Sequence, residues 1–214
     1  SSPTPRPAPT RTSTATPAPA DTPFPPPTPL PQRIDAVGPI ALATAAPLPV
    51  GGGRPPVRLL IPDIGLDIPV KPMGWRVVRD QNGGHSEWDV PDFAAGHHID
   101  SSFPGENGNV VISGHNNIRG AVFAPLCIIG EPDSPLKPGD AIILIDEAGR
   151  RFVYRINGWQ RIPESNASVA LREENASYML PTDSPQLTLI TCWPLQSNTH
   201  RVVITAVLTD IQQP

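Results

Sequence analysis

Gln186-Leu187-Thr188-Leu189-Ile190-Thr191-Cys192-Trp193-Pro194 reads as an apolar, β-branched strand that runs into a cysteine and stops at a proline. The thiol of Cys192 is thereby set at the mouth of a sheet, where it is placed to react. After a polar loop, Arg201 opens a second apolar run that ends at Leu208. Two strands joined by so short a loop usually pair antiparallel, so the end of the first and the start of the second share one sheet end. Cys192 and Arg201 are therefore predicted to be neighbours. Upstream, Val110-Val111-Ile112-Ser113 reads as a short buried strand that ends at Gly114-His115-Asn116-Asn117, which presents His115 at a strand end much as Cys192 is presented.

Composition narrows what such a site serves. The chain has a formal net charge of −4 and 5% aromatic residues, whereas nucleic-acid binders are ordinarily basic; no nucleic-acid partner is expected. Of 31 prolines, 17 fall between Ser1 and Pro56, among Thr, Ala and Ser. Such a segment has too little apolar surface to offset chain entropy, so residues 1–56 are predicted to be a disordered, polyproline-like tether. A wall-spanning stalk and an ordinary disordered tail fit that composition equally well. Gly51-Gly52-Gly53-Arg54-Pro55-Pro56 marks the hinge, and residues 57–214 suffice for one domain with a core. No run of eighteen apolar residues crosses a membrane, and a start at Ser1 without methionine suits a chain whose N-terminal signal or anchor has been removed.

Within the domain, Val57 to Val70 reads as two short strands around a turn at Pro62 to Gly65. Trp75 to Val90 reads as an exposed hairpin or loop through Asn82-Gly83-Gly84, with a strand fragment at Trp88. Neighbouring His97 and His98 point to opposite faces of a strand and, with His85, show no zinc-type spacing. Solvated or partly packed rings are expected for them. Gly120 to Ile129 is predicted to make a helical turn or two with Phe123, Leu126 and Ile129 on one face. The clearest hairpin joins Ala141–Ile145 to Arg151–Ile156 through Glu147-Ala148-Gly149, and Leu171 to Glu174 is the only good helix material in a polar stretch before the last strands. Seven or eight short strands without βαβ alternation point to an all-β sandwich or barrel. The two cysteines could pair in an oxidising compartment, but Cys127 lies in an apolar run and reads as core packing.

A cysteine attacks as thiolate and needs a base nearby, which His115 supplies; a guanidinium such as Arg201 carries no proton in the reaction but donates hydrogen bonds to a developing oxyanion. The three together are the parts of an acyl-transfer site. Thr188-Leu189-Ile190-Thr191-Cys192 resembles the T-L-x-T-C signature of sortases, Gly114-His115-Asn116 resembles their histidine motif, and Arg201 falls where their arginine follows the cysteine. Arg58 to Val70 is similar to the family's opening strands, Pro104 to Val110 to its lead-in to the histidine, and Lys137-Pro138-Gly139-Asp140 to the turn after it.

The resemblance implies a closed eight-stranded sortase-type β-barrel with short helices in loops, and a cysteine transpeptidase of a class left open among the D, E and F types and others. It implies that Cys192 attacks a C-terminal sorting signal similar to Leu-Pro-x-Thr-Gly in a secreted protein and forms a thioester. His115 then protonates the departing amine, Arg201 steadies the oxyanion, and an amine of peptidoglycan or a pilin resolves the acyl-enzyme. Thr191 and Trp193 flank the nucleophile and are the candidate substrate-binding residues; strand filler and barrel cap are their alternatives. The acidic cluster with which some sortases bind calcium is not evident, so neither metal nor other cofactor is expected. The resemblance places the domain outside the cytoplasm at the bacterial cell surface, with membrane contact only through the missing anchor. A hydrolytic cysteine peptidase on the same site and a non-catalytic wall-binding module remain as alternatives.

Overall fold

The computed structural model describes residues 53–80 and 83–214, without the side chains of residues 77–87 and 169. The described residues belong to one compact unit. Most of the predicted tether, Asn82 of the hairpin turn and the side chain of His85 lie outside what is described.

Alternating apolar residues build a barrel wall. Strands β1 (Pro56–Ile61), β2 (Leu66–Met73), β5 (Ala95–His98), β6 (Asn109–Ser113), β9 (Gln186–Trp193), β10 (His200–Gln212), β8 (Arg151–Pro163) and β7 (Ala141–Asp146) close in that order. The closed eight-stranded barrel is the architecture expected. Strands β3 (Trp75–Asp80) and β4 (Gly83–Trp88) form a separate antiparallel hairpin. The β1–β2 turn at Pro62–Ile64 ends on Gly65, whose φ of 62° lies in the left-handed region that a glycine adopts at no steric cost.

The pleat sends every second residue inward. Leu187 and Leu189 of β9, Val110 and Ile112 of β6, and Val202, Ile204 and Ala206 of β10 join one apolar core with Leu59, Ile142, Phe152 and Tyr154. Phe123, Leu126 and Ile129 plug this core at no more than 1% exposure. Their three-residue spacing is the period of the 3₁₀ helix at Ala124–Ile128, a tighter turn than the α-helical one, on which three-apart side chains eclipse.

Two boundaries differ from expectation. Strand β8 does not stop at Ile156 but runs thirteen residues to Pro163, because β10 runs thirteen residues alongside it; Gly158 faces Thr205 where the register shifts. The helical stretch, α1 (Val169–Ala176), begins ahead of Leu171 because Ser168 caps it, accepting from Leu171 N at 3.2 Å.

His97 and His98 correct the expectation of solvated or partly packed rings, since each is only 2% exposed. Strand β5 is hydrogen-bonded on both sides, to β2 and to β6. The His98 ring lies under Trp88, with centroids 4.1 Å apart, and its Nε2 is 2.8 Å from Ser113 Oγ. His97 Nε2 is 3.0 Å from the Ser102 carbonyl and its ring packs on Phe103. Burial holds both imidazoles below their ordinary pKa, His98 at about 4.

Candidate active site

The same alternation that fills the core turns Cys192 outward. With Leu187, Leu189 and Trp193 against the core, Ile190 and Cys192 occupy the opposite face of β9. Cys192 is paired directly with Arg201, and Ile190 with Val203, across the β9–β10 ladder. All four therefore share one face, the neighbourhood predicted from the short connecting loop. Parallel pairing of β6 with β9 sets Ser113 beside Ile190, so the next turn of chain carries His115 to the same place.

These residues line a cleft of about 500 Å³ on the outer face of the barrel. Its floor includes His98, Ser113, Ile190 and Val203; one wall is Trp88 and Val90, the other Glu164 with Arg172, Asn175, Ala176 and Met179. The second wall is tied down at two points. Asn175 Nδ2 donates to the Pro163 carbonyl at 2.7 Å, and buried Asn109 donates to the carbonyls of Tyr178 and Leu180 at 2.9 and 3.2 Å.

His115 Nε2 is 3.3 Å from the Val90 carbonyl. A carbonyl only accepts, so the proton of the neutral ring sits on Nε2 and Nδ1 is left to gain or lose one. Arg201 is held lightly: Nη1 donates to the Asn198 and His200 carbonyls at 3.5 Å each, and Nη2 is 3.8 Å from Glu164 Oε1. Contacts at that range leave most of its donor capacity for another acceptor.

Both cysteines are free, which corrects the disulfide alternative. Cys127, 3% exposed, donates its thiol hydrogen to the Cys192 carbonyl at 3.2 Å, and burial pushes its pKa up. Of the two thiols, Cys127 is thus kept protonated inside while Cys192 meets the cleft.

The two flanking residues are placed differently: Thr191 is among the residues that line the cleft and Trp193 is not. Trp193 points to the core side, with the Arg161 guanidinium 4.4 Å above its ring and His200 edge-on at 5.5 Å, so it caps the barrel and does not wall the cleft. Thr191 is 2% exposed, and its hydroxyl donates to the Gly114 carbonyl at 2.8 Å. Its polar group ties the cysteine strand to the histidine turn. Asn116, quoted in the sequence only as part of the histidine motif, proves to be a second such tie, donating to the Cys192 carbonyl at 2.8 Å. Among the described residues no three His, Cys, Asp or Glu side chains gather as a metal site.

A thiol, an imidazole and a guanidinium on one wall of a closed barrel are the equipment of an acyl-transfer enzyme. A family model described as the sortase domain matches residues 59–209, and the chain belongs to the sortase family, the cysteine transpeptidases of the bacterial surface. Listeria monocytogenes sortase A is similar in fold, with a TM-score of 0.52 at 20% identity over 74% of this chain and 90% of that one. Sortase E1 from Streptomyces coelicolor, solved with a tripeptide in its active site, reaches 0.52 at 19% identity over 75% and 91%. A lid mutant of Corynebacterium diphtheriae sortase A gives 0.52 at 23% identity over 76% and 74%. Among curated proteins none matches significantly. The equal likeness to A-type and E-type structures leaves the class open.

Proposed function

We propose that this sortase joins the C-terminal sorting signal of a secreted protein to an amine of peptidoglycan or a pilin, with Cys192, His115 and Arg201 as its catalytic residues. The observation that carries the reading is the direct pairing of Cys192 with Arg201 on the face of the barrel that His115 also reaches. The Cys192 thiol passes its proton to His115, and the sulfur bonds to the carbonyl carbon of a Leu-Pro-x-Thr-Gly-like peptide. Arg201 donates to the oxygen that becomes negative, and as the carbon–nitrogen bond breaks the departing amine takes a proton from His115. An incoming amine gives a proton back to His115 and displaces the sulfur, which closes the cycle. Thr191, which lines the cleft, also holds the turn of His115 to β9.

The test is incubation with a panel of such peptides, with and without triglycine or a diamino acid, followed by mass spectrometry with Cys192→Ala as the blank. A thioester on Cys192 that moves to the amine is the expected result. A thioester that only hydrolyses would give the peptidase alternative the better claim, and a Cys192 that no peptide acylates would sink the catalytic reading. The access of Cys192 to an open cleft disfavours an inert wall-binding module.

Residues 1–56 are read as a tether that holds the domain away from its attachment point at the cell surface. Deleting residues 1–53 is then expected to leave peptide acylation in solution unchanged while lowering attachment of substrate proteins in cells. Full surface attachment by the truncated enzyme would end that idea.

A further inference from the structure

We propose that Asn116 is a positioning residue that holds the three segments carrying His115, Cys192 and Arg201 in register, an inference that rests on the catalytic reading above. Asn116 is 2% exposed and is not among the residues lining the cleft, so it acts through others. Its Nδ2 spends both hydrogens: one on the Cys192 carbonyl at 2.8 Å, the other on Asn198 Oδ1 at 3.0 Å. Asn198 in turn offers its own carbonyl to Arg201 Nη1. One buried amide thus connects the nucleophile's peptide, the loop that precedes the arginine and, through the chain, the histidine next door.

The histidine turn is fixed from its other side as well. Gly114 N donates to the Ile190 carbonyl at 3.1 Å and Gly114 O accepts from Thr191 Oγ1 at 2.8 Å. His115 therefore sits between two attachments to β9, one at the residue before it and one at the residue after. The Cys192 carbonyl has two lone pairs, and Asn116 and Cys127 take them both, which fixes the peptide plane from which the nucleophile projects. Only an amide suits the position: aspartate has no hydrogens to donate, serine is too short to reach both acceptors, and leucine leaves both without a donor. Asn198 is specified too, because its φ of 54° belongs to the left-handed region that asparagine tolerates better than most residues.

The experiment measures the rate at which iodoacetamide alkylates Cys192, read on its peptide by mass spectrometry, so that it needs no knowledge of the natural substrate. The proteins compared are wild type, His115→Ala, Asn116→Ala, the double variant and Asn198→Gly. Misplacing reacting groups by a fraction of an ångström to an ångström is costly, so Asn116→Ala is expected to slow alkylation roughly tenfold. If it acts by placing His115 against Cys192, the double variant is no slower than His115→Ala alone, whereas a merely structural loss would multiply with it. Asn198→Gly still permits the left-handed backbone and removes the acceptor with the rest of the side chain. It is expected to slow the reaction in the same direction, by about threefold, and it decides the matter if Asn116→Ala does not fold. Wild-type rates in Asn116→Ala or Asn198→Gly, or multiplicative losses in the double variant, would overturn the positioning role alone. A His115→Ala protein that reacts as fast as wild type would overturn the catalytic reading and this inference with it.

Discussion

Arg201→Ala is expected to lower kcat roughly 10²–10³-fold, the loss that removal of one oxyanion donor brings. The argument starts from register. Arg201 lies directly across from Cys192, so its guanidinium hangs over the same face as the sulfur. Its present partners are two carbonyls at 3.5 Å and a half-exposed carboxylate at 3.8 Å, contacts worth little in water. An oxyanion forming on a carbonyl held by Cys192 would be a much better acceptor, and a donor that improves its contacts only as charge develops acts on the transition state. Arg201→Lys is expected to recover little, since an ammonium is a single point of charge without the planar fork. Iodoacetamide forms no oxyanion when sulfur displaces iodide, so its reaction with Cys192 should suffer far less than kcat on a peptide. Equal losses in the two assays would mean that Arg201 serves the thiol and not the carbonyl, and an unchanged kcat would remove it from the site.

The pairing behind that prediction was legible in the sequence for a physical reason: a short loop between two β-branched runs admits few geometries, and the facing ends follow. Phe123, Leu126 and Ile129 were legible in the same way, because a period of three is visible in any sequence. The inward turn of Thr191 and Trp193 was there to be found. Once Cys192 faces out, strand alternation alone turns its two neighbours in. What local pattern does not carry is contact between distant segments. Asn116 meets a backbone carbonyl at Cys192 and a side chain at Asn198, and a carbonyl is the same at every residue, so no residue type in the sequence marks it. The reach of β8 past Ile156 was hidden by Asn157-Gly158, which interrupt alternation while the strand continues against β10. The burial of His97 and His98 depends on what covers them. The cover over His98 is Trp88, at the end of a hairpin whose sequence shows little periodicity.

That covered imidazole makes the fold sensitive to acid. His98 is held neutral chiefly by burial, with His97 beside it pushing the same way and Asp100 opposing, and its pKa falls from 6.5 to about 4. In the unfolded chain the ring takes up its proton near 6.5, so between these values the unfolded state binds more protons and stability rises with pH. The contribution is complete above about 6.5, declines as the pH falls, and is lost once the pH has passed through about 4. Its size is on the order of 3 kcal/mol, from the shift and about 1.4 kcal/mol per pH unit. His97, whose pKa is also lowered by burial, adds in the same direction. Because His98 lies in the floor of the cleft with the Trp88 ring tilted against it, the loss is expected to begin at that wall of the cleft. Unfolding by urea at neutral pH and at about pH 4.5, in wild type and in His98→Gln, measures it; glutamine keeps a polar group for Ser113 but takes no proton in this range. The wild type should lose stability steeply and the variant much less. If both lose it equally, the acid sensitivity resides in other groups and the buried ring is not its cause.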